Sequence, residues 1–176
     1  MRRVLYRVAV SVDGYIASPR GEVDWIVPDP AIDFTKVYES VDTVLLGRRT
    51  YELTRQPGAP PWPKGWQIYV FSRTLTPEQH AGVTVVSADA GPRVAALRAG
   101  SGREIWLFGG GSLFRSLLTA RQVDIVEVVV SPVLLGGGIS LLEAGAPLTR
   151  LSLLHSQAYP SGLLSVRYQV PDAAAV

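Results

Sequence analysis

The stretch EIWLFGGGSLFRSLL, residues 104–118, constrains this chain more than any other. An apolar run of strand character passes into an amphipathic helix, and the junction is three consecutive glycines. One glycine is enough to turn or cap a chain. Three strip every side chain from the point where the first N–H groups of a helix converge. A strand feeding directly into a helix is the unit of an α/β sheet, and ligands of such sheets gather beyond the carboxyl ends of the strands. The junction reads either as a tight packing turn or as a cradle for a phosphate at a helix N-terminus, with Ser112 as a cap or a further hydroxyl donor. A glycine cluster alone does not choose between the two.

Two further junctions repeat the pattern. LLGRRT sets Gly47, Arg48, Arg49 and Thr50 where a strand becomes a helix, and FSRT closes another strand with Ser72, Arg73 and Thr74. Guanidinium forks and hydroxyls at strand ends suit an anion such as a cofactor phosphate, a 2′-phosphate especially. Each alone could be a solvated basic turn. Three such junctions in one chain favour the phosphate.

The remaining pattern agrees with an α/β chain. Strands are expected over residues 3–12, 42–47, 66–72, 83–87, 103–108 and 123–131, and helices over 31–40, 48–55, 91–100 and 112–120. Residues 15–30 and the proline-rich stretch 56–65 are expected as loops. Residues 149–170 read as a hairpin turning near Pro160, Ser161 and Gly162. Alternating strands and helices closed by consecutive strands predict a central, mostly parallel mixed sheet with an antiparallel C-terminal hairpin and helices on both faces. The 176 residues suit one domain spanning 1–176, frayed over its last five.

Several functions are disfavoured at once. A net charge of +2 gives no case for nucleic acid. Cysteine is absent and the two histidines, His80 and His155, stand far apart, so neither a disulfide nor a metal site is expected. No apolar run approaches the length of a membrane span, and no cleavable leader is evident, so the expected location is cytoplasmic. The mean hydropathy of +0.20 points to a large buried interface as well as a core.

SVDGYIA, LLGRRTYE, YVFSRTL and IWLFGGGSLFRSLL, in this order and at these intervals, resemble the dihydrofolate reductase-like fold. VDIVEVVVSPVLLGGGISLL resembles the branch containing the reductase domain of bacterial riboflavin biosynthesis. The resemblance spans about residues 4–170. It implies a stand-alone NADPH-dependent reductase, a homodimer, that transfers hydride to a small heterocycle or imine, a pteridine or a 5-amino-6-(5-phosphoribosylamino)uracil-like molecule. It also implies that Gly109, Gly110, Gly111, Ser112 and Leu113 hold the diphosphate. Gly47, Arg48, Arg49 and Thr50 would meet the cofactor's phosphates, and Ser72, Arg73 and Thr74 the 2′-phosphate. Ala9, Ile16 and Phe108 complete the implied cofactor set, and Val10, Asp24, Trp25 and Phe114 the implied substrate set, with Asp24 and Trp25 on a flap. In the riboflavin branch a lysine usually stands at Tyr15 and an acid at Phe108.

Asp33 and Tyr15 are the candidate catalytic proton donors, with a bound water as the other source. Asp33 could instead be a carboxylate favoured by the helix dipole. Trp62 and Trp66 could wall a flat ring or simply pin a loop, Glu127 reads as the outward position of a strand, and His155 as structural or at an interface. The rival function is a non-catalytic, dimeric nucleotide-binding protein, and a third is a structural dimer whose glycines only pack.

Overall fold

The computed structural model describes residues 1–171; the fraying expected of the last five falls outside the described residues. Its strands and helices follow one another as β1 Val4–Ser11, β2 Tyr15–Ala17, α1 Phe34–Ser40, β3 Val41–Gly47, α2 Arg48–Leu53, β4 Gln67–Phe71, β5 Thr84–Val86, α3 Ala90–Ala99, β6 Glu104–Gly109, α4 Gly111–Thr119, β7 Ile125–Ser131, β8 Ile139–Ser140, β9 Ser152–Ala158 and β10 Leu164–Gln169. Eight strands form one sheet in the order β5-β4-β3-β6-β1-β7-β10-β9. The neighbours from β5 to β7 pair in parallel, while β10 runs antiparallel to both β7 and β9.

Strand parity decides what each side chain does. On β1, Val4, Tyr6, Val8 and Val10 point to the face covered by α3 and α4, where they meet Val94, Leu113, Phe114, Leu117 and Leu118. Tyr6 stacks on Phe114 with ring centroids 3.9 Å apart. The opposite face is covered over β3, β4 and β6 by Tyr51 of α2, Val37 of α1, and Trp62 and Trp66 of the proline-rich loop. Over β1, β7 and β10 that second face is left open.

The amino ends of the strands are closed by ion pairs. Arg2 pairs with Asp42, and Arg98 pairs with Asp124 at 2.6 Å. The carboxyl ends carry the glycine junctions.

Two departures of the secondary structure from the sequence reading bear on the site. Residues 15–30 do not form a continuous loop: Tyr15–Ala17 pairs with Ile139–Ser140 as a second, two-stranded sheet, which long-range pairing rather than local propensity creates. The first helix begins at Phe34 rather than Ala31, because Asp29 accepts a hydrogen bond from the Ala31 N–H in a preceding turn and Asp33 caps the helix through the Thr35 N–H.

Candidate functional site

β6 lies between β1 and β3, so the chain leaves β1 for β3 and returns to fill the gap later. Helix α1 then follows β1 on one face, whereas α4 follows β6 on the other. Their divergence opens a crevice at the carboxyl ends of β1, β3 and β6, the position where open α/β sheets bind ligands. A cavity of about 1680 Å³ occupies it and extends across the open face of β1, β7 and β10. Among the described residues it is large enough for a dinucleotide and a second small molecule together.

The three glycines have three different reasons. Gly109 has φ +150°, a conformation that side-chain-bearing residues rarely adopt. A Cβ on Gly111 would lie 2.6 Å from the Ser140 carbonyl oxygen, so this glycine lets α4 pack on β8. Gly110 is under neither demand. Its backbone is extended, and a Cβ there would reach only Thr50 Oγ1 at an ordinary 3.5 Å. Gly47 is similar: its nearest would-be neighbours are Gly110 N at 3.6 Å and Gly109 O at 3.7 Å. The fold thus leaves open, at the mouth of α4, a cradle that a Cβ would fill. Gly110 is the helix N-cap and supplies no side-chain cap, so among the described residues the first-turn N–H groups of this nine-residue helix have no capping side-chain oxygen. Ser112, expected as a cap or a further hydroxyl donor, does not cap the helix but sits inside it with an exposed side chain lining the cavity.

The basic junctions divide in the same way. Arg48 is engaged, its Nε donating to Glu52 and its NH1 to Thr74 Oγ1, both at 2.7 Å. Thr74 is thereby held off the cavity wall. Arg49 and Arg73 line the cavity, are exposed, and have no ion pair or hydrogen bond among the described residues. Ser72 is buried and organises its turn by accepting from the N–H groups of Thr74 and Leu75.

At the other end, Ala9, Ile16 and Phe108 line the cavity, as does Leu113. Four expected substrate residues do not. Val10 and Phe114 belong to the core on the far face, since parity that turns Ala9 inward must turn Val10 away. Asp24 and Trp25 also lie off the wall; the flap meets the cavity through their neighbours Val23, Ile26, Val27 and Asp29. Asp29 is fastened to the hairpin turn by the Ser161 hydroxyl.

Neither candidate proton donor is placed as one. Tyr15 pairs with Ser140 and is absent from the cavity wall. Asp33 does line the cavity, but as the α1 cap it accepts from Thr35 N–H at 3.0 Å and faces Lys36 at 3.7 Å. Partial desolvation pushes its carboxyl up; hydrogen bonds from Thr35 and Lys36 and the Lys36 charge outweigh this and hold it below the usual carboxylate range. It is an ionised cap.

The sequence reading missed the most polar part of the wall. Glu127 is not outward-facing: its carboxylate is bracketed by Arg7, whose Nε and NH2 donate at 2.9 and 3.0 Å, and by Arg167 at 3.4 Å. All three line the cavity, with Ser131 and Ser165 on the same face. The available signal was parity, because Arg7 shares its side of β1 with Ala9. Trp62, Trp106, Phe108 and Tyr38 form an aromatic wall beside them; Trp62 lies 5.2 Å from Phe108, and Trp106 lies 4.9 Å from it. Trp66, stacked on Trp62, supports this wall from behind.

Residues 2–165 match the family model of the RibD C-terminal domain. YyaP of Bacillus subtilis (strain 168) is 30% identical over 178 residues, covering 95% of this chain and 94% of YyaP. The crystal structure of a putative riboflavin biosynthesis protein from Shewanella sp. PV-4 superposes with a TM-score of 0.83 at 28% identity, covering 98% of this chain and all of that one (100%). A dihydrofolate reductase from Enterococcus faecalis, solved in complex with NADP(H), gives a TM-score of 0.70 at 19% identity over 97% of each chain and shares the fold. The chain belongs to the RibD C-terminal domain family, and its architecture is the dihydrofolate reductase-like α/β fold.

Proposed function

We propose that this member of the RibD C-terminal domain family is an NADPH-dependent reductase of a small heterocyclic or imine substrate, acting as a single domain and as a homodimer. A reductase-type function is what the family and the fold support. The observation that carries the finer reading is the cradle at Gly47 and Gly110, flanked by two arginines, Arg49 and Arg73, that are unpaired among the described residues.

These residues fit the cofactor. The open backbone at Gly110 and the uncapped N–H groups of α4 would receive the diphosphate, with Thr50 beside them. Arg49 and Arg73 would meet the 2′-phosphate, the group that separates NADPH from NADH. Ala9 and Ile16 line the part of the wall that leads toward the open sheet face, where the nicotinamide end would lie. When bound, NADPH supplies the hydride. The aromatic wall of Trp62, Trp106, Phe108 and Tyr38 would orient a flat acceptor, and the apolar side of the flap would limit water around it. With Tyr15 turned away and Asp33 ionised, the proton comes from water at the open end of the cavity.

The dimer reading rests on β9. All seven of its residues are exposed, and Leu153 and Leu154 are 58% and 50% accessible on this outermost strand. A cytoplasmic setting follows from the cofactor's location; no helix among the described residues is long and apolar enough to cross a membrane.

The test is turnover. Purified protein with NADPH should consume it, followed at the nicotinamide absorbance band, when offered pteridines or aminopyrimidines, and NADH should be used poorly. Tight NADPH binding with no consumption across such a panel would instead support a non-catalytic nucleotide-binding protein.

A further inference from the structure

We propose that the substrate carries a carboxylate and that Arg167 of β10 is its anchor, an inference that rests on the reductase reading and names its substrate class. Arg7, Glu127 and Arg167 stand in register on β1, β7 and β10 and point to the same open face. Their hydrogen bonds are unequal. Both oxygens of Glu127 are taken, and Arg7 spends Nε and NH2 on them. Arg167 makes no hydrogen bond among the described residues; its closest approach to Glu127 is an ion pair through NH1 at 3.4 Å, and its Nε and NH2 have no hydrogen-bond acceptor there. Its side chain is 30% accessible and the opening is the cavity. A guanidinium edge with two free, parallel N–H groups matches the two oxygens of a planar carboxylate.

Charge selects among anions. Two guanidiniums and one carboxylate leave this row a single positive charge, which a monoanion neutralises. A dianionic phosphate monoester would leave uncompensated negative charge on a half-buried surface beside Glu127. One hydroxyl shares this face close by, that of Ser165, two residues along β10. Arg167 stands at the end of the row farther from the phosphate cradle. β10 lies three inter-strand spacings from β6, about 14 Å. The aromatic wall stands over β3 and β6 beside the row, with Trp106 Nε1 donating to the Arg7 carbonyl at 3.1 Å. The occupant this describes is a flat ring bearing one carboxylate.

The experiment titrates benzoate, its neutral isostere benzamide, and phenyl phosphate into the protein with and without NADPH, following tryptophan fluorescence and calorimetric heat. Benzoate should bind at least tenfold tighter than benzamide and tighter than phenyl phosphate. Arg167→Gln should lose at least tenfold in benzoate affinity with benzamide unchanged, and Arg167→Lys, which keeps the charge but not the fork, should fall between. Glu127→Gln raises the row's charge and should turn the preference toward phenyl phosphate. Equal binding of benzoate and benzamide, benzoate affinity unchanged in Arg167→Gln at an unchanged circular dichroism spectrum, or a wild-type preference for phenyl phosphate would overturn the proposal. Absence of NADPH binding in the same samples would count against the reductase reading alone, since the carboxylate preference is read without cofactor as well.

Discussion

Gly111 and Ser140 touch so closely that a Cβ on the glycine would lie 2.6 Å from the serine carbonyl oxygen, while the adjacent Gly110 has no such neighbour. The contact separates the structural glycine from the one available to a ligand. Gly111→Ala forces a methyl against the Ser140 carbonyl oxygen and should cost about 1–3 kcal/mol, as overpacking does, seen as a lower urea midpoint. Gly110→Ala meets only an ordinary contact with Thr50; it should leave that midpoint within about 0.5 kcal/mol and weaken NADPH binding at least tenfold.

Arg49 and Arg73 should define cofactor choice. Each has no protein partner among the described residues, so removing it exposes no unpaired group. Arg49→Ala and Arg73→Ala should each weaken NADPH by about tenfold, about 1.4 kcal/mol, and leave NADH affinity nearly unchanged. Parallel titrations with the two cofactors read the difference.

Asp33 should behave as a cap. Asp33→Asn keeps an oxygen for the Thr35 N–H and should change stability by only a few tenths of a kcal/mol, whereas Asp33→Ala should cost about 1 kcal/mol. Turnover should survive Asp33→Asn within a few-fold. A loss of a hundredfold or more would restore Asp33 as the acid.

Acid should loosen the flap. The Ser161 hydroxyl and the Ala31 N–H lower the Asp29 carboxyl below its ordinary value against a smaller opposing desolvation. A carboxyl depressed in the folded state contributes stability above its unfolded value, and this is lost as pH falls through the folded one. The contribution should therefore be constant at neutral pH and disappear below about pH 4. Thermal unfolding followed from pH 6 to pH 2 should show it, and Ser161→Ala should flatten that part of the profile.

Much of this was legible in the chain. Val-rich β1, the strand before the glycines and amphipathic α4 follow from side-chain period, and the basic strand ends announced the arginines of the cavity. What was not legible depends on distance or parity. β2 and β8 are too short to show a pattern and exist because Tyr15 and Ser140 meet across the fold. Glu127 looked solvated because a polar residue between valines is usually outward; here that side of the sheet is a cavity. The assignment of Val10 and Phe114 to the substrate failed on alternation, which places them in the core with Tyr6. The triple glycine looked like one feature, and only neighbouring atoms divide it into three.

The central claim is that the glycine junction, with Arg49 and Arg73, holds NADPH. Energy transfer from tryptophan to nicotinamide tests it most directly, because Trp62 and Trp106 line the same cavity. Titration with NADPH should quench tryptophan emission and raise nicotinamide emission saturably, with an affinity at least tenfold above that for NADH, and Gly110→Val should abolish both signals without unfolding the protein. No saturable transfer with either cofactor, or an unchanged NADPH affinity in Gly110→Val, would contradict it.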